Sequence, residues 1–157
     1  MTTGPKGIRL IKFYEGFEPH LYNDAGGNAT IGYGHLVHHG PIDGTESAEF
    51  KAGISEARAC QLIQADLFDV ERAIDGLVIA AISQDQYDAL ASFLFNVGTG
   101  NFWKSTLLAM LNATDYEDAA NEFEKWDKCD GEHLTGLHNR RLAERDLFLN
   151  GVLPKGA

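Results

Sequence analysis

The chain has 157 residues, of which 44% are hydrophobic and 23% charged, with a formal net charge of −10. That length supports one domain with a core of its own and needs no staple, and neither a repeat period nor a low-complexity tract points to a solenoid or to disorder. The acidity argues against nucleic acid, whose phosphates demand a basic surface for counterion release, and it sits awkwardly with any anionic polymer.

A helix is expected over about residues 3–15, with Pro5 near its start, apolar positions at Ile8, Ile11 and Phe13, and Gly16 at the C′ position. A small β lobe is expected over about 16–54. Leu21 to Tyr22 and the β-formers Thr30, Ile31 and Tyr33 flank the turn string Asp24-Ala-Gly-Gly-Asn28, which is a hairpin pattern. From His35 to Gly53 the glycines and Pro41 mark mostly loop, with at most a short strand. Ser55 is placed to cap a helix over about 55–75 that joins the lobes, followed by a helical lobe over about 76–157. There, Ser83-Gln-Asp-Gln86 forms a capping box and Gly98 with Gly100 closes that helix. Asn101 is expected to cap a helix to Leu111, Asp115 to open one carrying Phe123 and Trp126, and Leu137 to Asn150 to form the last. The fold class is therefore α+β, with a small antiparallel sheet lobe, a larger helical lobe and a cleft between them.

No segment has the apolar run of a signal peptide or a membrane span, so a cytoplasmic protein without a membrane anchor is expected, and nothing demands more than a monomer. Cys60 and Cys129 are expected as free thiols. Arg140, Arg141 and Arg145 cluster near the end, as does Lys6 with Arg9 and Lys12 near the start, and a solvated helix face accounts for each group. His35, His38 and His39 invite a metal reading, but no companion ligand set at zinc spacing is evident, so no metal or cofactor is expected.

The chemistry concentrates between Glu15 and His35. Two carboxylates in unlike surroundings serve a glycosidase, one donating a proton and the other handling water or the sugar cation. Glu15 stands where the first helix ends, and the negative end of the helix dipole disfavours an ionised carboxylate there, which suits a general acid. With the hairpin turn centred near Gly27, Asp24 falls opposite Thr30, at a Cβ separation of roughly 5 Å, so the pair can hold one water. Gly32 and Gly34, on the strand face of Thr30, leave room for a polymer to approach the backbone. Taken singly, each has a plainer explanation: a solvated helix-end carboxylate, a turn aspartate, a strand threonine.

Glu15 … Tyr22-Asn-Asp24 … Thr30-Ile-Gly-Tyr-Gly-His35 resembles the active-site signature of the phage-type lysozymes, glycoside hydrolase family 24. Gln86-Tyr-Asp-Ala-Leu90, Phe95-Asn-Val-Gly98, Ser105-Thr-Leu107 and Gly136-Leu-His-Asn-Arg-Arg141 through Glu144 resemble that family's helical lobe in the same order. The resemblance implies a lysozyme-like fold and an endolysin-type muramidase. Its substrate would be bacterial peptidoglycan, cut with inversion between N-acetylmuramic acid and N-acetylglucosamine, with Glu15 as acid, Asp24 as second carboxylate and Thr30 positioning water. It further implies sugar contacts at Leu36, Phe95, Ser105 and Asn139, and a structural pair of His35 with Asp66. Two other outcomes stay open: a catalytically silent peptidoglycan-binding module on the same fold, and a chitinase-like hydrolase of a neutral polymer.

Overall fold

The structure is a computed structural model that describes residues 1–129 and 131–157. The chain divides into two compact units, Lys12–Asp66 and Met1–Ile11 with Leu67–Ala157.

The smaller unit carries the end of α1 (Pro5–Glu15), then β1 (Glu18–Asn23), β2 (Ala29–Gly32), β3 (His35–His38), α2 (Ala48–Ala52) and the first half of α3 (Glu56–Leu77). The strands form an antiparallel sheet in the order β1-β2-β3. All four residues of the central strand are buried, whereas both edge strands are partly exposed, as a sheet with one central strand requires. Val37 is the extra residue of a bulge, since Ala29 pairs with His38 but Thr30 pairs with Leu36. Ser55 does cap α3, its Oγ accepting from Arg58 N at 3.2 Å. The short α2, capped by Ser47, was not expected, because one helical turn leaves no periodic apolar pattern to read.

The larger unit contains the start of α1, whose first turn is fastened by Asp88. The Asp88 carboxylate, 1% exposed, accepts from Gly4 N at 2.7 Å and Gly7 N at 2.9 Å, so an anion sits on the positive helix end. Helix α4 (Gln84–Val97) begins with the complete Ser83/Gln86 capping box and is buried continuously from Tyr87 to Leu94, the mark of a core helix. Its Phe93 meets Phe102, Phe123 and Trp126 in edge-on contacts at 5.1 to 6.4 Å.

Beyond α4 the chain departs from expectation. One helix to Leu111 was expected, but there are two, α5 (Thr99–Trp103) and α6 (Thr106–Asn112), because Ser105 breaks the run and caps the second. Asn101 lies inside α5 instead, its side chain donating to Val97 O. After α7 (Tyr116–Glu122), a 3-10 turn over Phe123–Trp126 carries the two aromatics. The expected loop then holds a small antiparallel pair, β4 (Lys128–Cys129) and β5 (Glu132–His133), before α8 (Thr135–Asn150). Both cysteines are free thiols.

Arg140 and Arg141 are no solvated face. Both are buried with Glu144, whose carboxylate meets Arg140 Nε at 3.1 Å, Arg141 Nε at 2.8 Å and Ser92 Oγ at 2.8 Å, while Arg141 also lies 5.0 Å over the Phe93 ring. An exposed helix face and a buried ion cluster share the same local sequence pattern, and only the packing of α8 on α4 separates them. Among the described residues, no helix is long and apolar enough to cross a membrane.

Candidate active site

Glu15 is the last residue of α1, and Gly16, at φ +70°, turns the chain away through a left-handed C′ position while its N–H donates to Lys12 O. One turn earlier, Lys12 meets Glu56 Oε1 at 2.9 Å, and Tyr33 OH donates to the same oxygen at 2.6 Å. These two partners hold the Glu56 carboxyl below its ordinary range, and Glu56 in turn raises the Lys12 ammonium. The helix end is thus tied to both the β2–β3 turn and α3. The Glu15 carboxylate then rests on Gly34: a Cβ built at Gly34 would stand 2.7 Å from Glu15 Oε2, and Gly34 has φ +74°.

Asp24 and Thr30 do not face each other as expected. Tyr22 pairs with Thr30 and Asn23 with Ala29, so the turn is centred one residue earlier and Asp24 lies past the end of β1. The offset is two residues in pairing, which preserves parity, so Asp24 continues the face that carries Tyr22 and Thr30. The physical reason is Asn28. Its N–H donates to Asp24 Oδ1 at 2.9 Å, and its carbonyl accepts from Asp24 N at 3.0 Å and Thr30 Oγ1 at 2.9 Å. The turn aspartate therefore makes its Asx bond, and the same bond joins it to Thr30 through one residue.

Thr30 is 2% exposed and its hydroxyl proton is committed to Asn28, so the oxygen is left to accept. Tyr22, expected as a strand residue with no chemical role, pairs with Thr30 and feels the charges of Glu15 and Asp24. Burial raises its phenol first, and the charges of Glu15, Asp24 and Glu18 raise it further. Only the fold identifies it, because tyrosine in a strand is ordinary.

Gly32 is not a polymer approach. A Cβ there would meet Ala59 and Ile54 at 3.2 and 3.3 Å, so the missing side chain serves helix packing, as the one missing at Gly34 serves Glu15. His35 Nδ1 lies 2.9 Å from Asp66 Oδ2 and 3.0 Å from Oδ1. Leu36, 43% exposed, is the β3 partner of Thr30 and extends the Tyr22–Thr30 row. Phe95, Ser105 and Asn139 belong to the larger unit. Phe95 is half-buried on α4 and Asn139 exposed on α8. Ser105 is buried, and its hydroxyl donates to Phe102 O and accepts from Leu108 N, which is the work of a helix cap.

The sequence and the fold that carry these residues match known proteins. The family model described as "Phage lysozyme" matches residues 12–144. An endolysin of Salmonella phage P22 is 39% identical over 150 residues, covering 96% of this chain and 99% of that protein. An endolysin of Bacillus phage B103 is 40% identical over 153 residues, and there the chain spans only 55% of the relative's length. Among solved structures, the endolysin of Escherichia coli O157:H7 phage FAHEc1 superposes with a TM-score of 0.84 at 31% identity, covering 99% of this chain and 98% of the other. By its sequence and its lysozyme-like α+β fold, the chain belongs to the phage lysozyme family of glycoside hydrolases.

Proposed function

We propose that this chain hydrolyses the β-1,4 bond between N-acetylmuramic acid and N-acetylglucosamine in bacterial peptidoglycan, with inversion, to lyse a host cell. The observation that supports the reading is Tyr22, the strand partner of Thr30, whose phenol is raised by burial and then by the charges of Glu15 and Asp24.

In the proposed reaction Glu15 protonates the leaving glycosidic oxygen. A water donates one hydrogen to Thr30 Oγ1, whose own proton is held by Asn28, and the other to Asp24, whose Oδ1 is held by the Asn28 N–H so that Oδ2 is the base. Both hydrogens fixed, the water oxygen turns a lone pair toward the anomeric carbon, opposite the leaving group. An inverting pair leaves room for that water, roughly 6.5–9.5 Å between carboxyls. Leu36, Phe95, Ser105 and Asn139 are proposed to contact the glycan. The enzyme would act as a monomer that waits in the cytoplasm until a membrane lesion gives it access to the wall.

The test is digestion of isolated murein sacculi, with analysis of the reducing ends. Muramic acid at the new reducing ends is expected from the wild type, and Glu15→Gln should release on the order of 10²–10⁴-fold less per unit time at unchanged fold. Binding without release would favour a silent wall-binding module. Turnover of chitin oligomers with no turnover of murein would favour a chitinase-like enzyme.

A further inference from the structure

His38, at the end of β3, stands between two carboxylates of the turn that follows it. Its Nε2 lies 3.0 Å from Glu46 Oε1 and 3.8 Å from Asp43 Oδ1, and one ligand atom from each of the three residues falls within 4.8 Å of the others. Bonds of about 2.0–2.1 Å to a tetrahedral zinc ion place ligand atoms about 3.3–3.4 Å apart, between the two distances found here.

The surroundings are also those of a ligand set. The Glu46 side chain is fully buried, while His38 and Asp43 are 27% and 54% exposed, so a carboxylate floor opens to solvent at its rim. The Asp43 N–H donates to Glu46 Oε1 at 2.9 Å and the Gly44 N–H to Oε2 at 3.0 Å, which fixes the carboxylate. His38 Nδ1 lies 3.0 Å from the His39 carbonyl, which can only accept. Nδ1 therefore donates, Nε2 of the protonated ring donates to Glu46, and loss of that one proton frees the Nε2 lone pair for a metal. A histidine whose second nitrogen is fixed by a backbone carbonyl is the usual outer support of a metal ligand.

We propose that His38, Asp43 and Glu46 bind one zinc ion, with water as the fourth ligand, and that the ion clamps β3 to the turn over residues 39–46. His35 is excluded from the set by Asp66. His39 contributes its carbonyl rather than its ring. Because His38 pairs with Ala29, next to Thr30, the clamp would brace the sheet edge beside the proposed water site.

The experiment is calorimetric titration of zinc into untagged, chelator-stripped protein, with thermal unfolding and zinc X-ray absorption on the same samples. One zinc per chain is expected, with a Kd on the order of 1–10 µM, an absorption spectrum of one imidazole among oxygen donors, and a melting temperature raised by a few degrees or so. His38→Ala and the solvent-exposed Asp43→Asn should each weaken binding at least about tenfold. His133→Ala, which removes an imidazole from the separate cluster at Asp127, should leave it unchanged. The proposal is overturned by no binding at about 100 µM zinc, by affinity that survives both His38→Ala and Asp43→Asn, by loss of binding in His133→Ala alone, or by displacement of zinc with an equal concentration of magnesium.

Discussion

Gly34 decides whether the Glu15 carboxylate has a place to rest. An alanine there must adopt φ +74°, which costs about 1–2 kcal/mol, and its Cβ would stand 2.7 Å from Glu15 Oε2. Gly34→Ala is therefore expected to lower stability by that amount in denaturant unfolding and to reduce kcat on murein more than it raises KM, since the displaced group is the proposed acid. Unchanged kcat would separate Gly34 from Glu15. Glu15, Asp24 and Thr30, the proposed catalytic residues, stand out in the sequence because each residue type has a chemical job at its spacing. Tyr22, Asn28 and the role of Gly34 do not, because a strand tyrosine, a turn asparagine and a glycine are unremarkable until their neighbours are known. The register failed by two residues for the same reason: Asn28 recentres the turn through bonds of its own side of the hairpin.

Helix α1 shows what local sequence can and cannot set. Pro5 and Gly16 were sufficient to bound it near Pro5–Glu15, but its anchor, Asp88, lies on another helix and carries no local signature. Asp88→Ala leaves two N–H groups without their charged acceptor, and the chain is expected to lose about 3–6 kcal/mol of stability at chemical denaturation, at about 1.5–3 kcal/mol for each bond to a charged group. A loss below about 0.5 kcal/mol would show that other groups satisfy the helix end. The capping box at Ser83 was legible because both partners are within one turn. The pair β4–β5 was not, since strands of two residues show no alternation. Nor was the capping role of Ser105, because the run from Asn101 to Leu111 reads as one helix.

For the molecule as a whole, stability should fall on acidification below about pH 4, in part through Asp127. Burial works against its ionised form, but bonds from His133 at 2.7 Å and His138 at 3.1 Å outweigh that and hold the carboxyl below its ordinary value. A carboxyl lowered by folding stabilises fully above its unfolded pKa of about 3.9 and loses that contribution as pH falls through the folded value. Asp127→Asn should accordingly show a shallower loss of melting temperature below about pH 4 than the wild type. Equal slopes would remove Asp127 from the acid response. The α+β class and the order of the elements were readable along the chain. The buried Arg140–Arg141–Glu144 cluster depends on packing between distant segments, which one sequence does not display.

The proposed reaction is a single displacement, in which Glu15 gives a proton and a water held by Asp24 and Thr30 attacks from the opposite side. Proton NMR of the first product released from murein, read before the sugar ring re-equilibrates, tests this directly. The β-linked substrate should yield the α-anomer first. Initial release of the β-anomer would contradict the account.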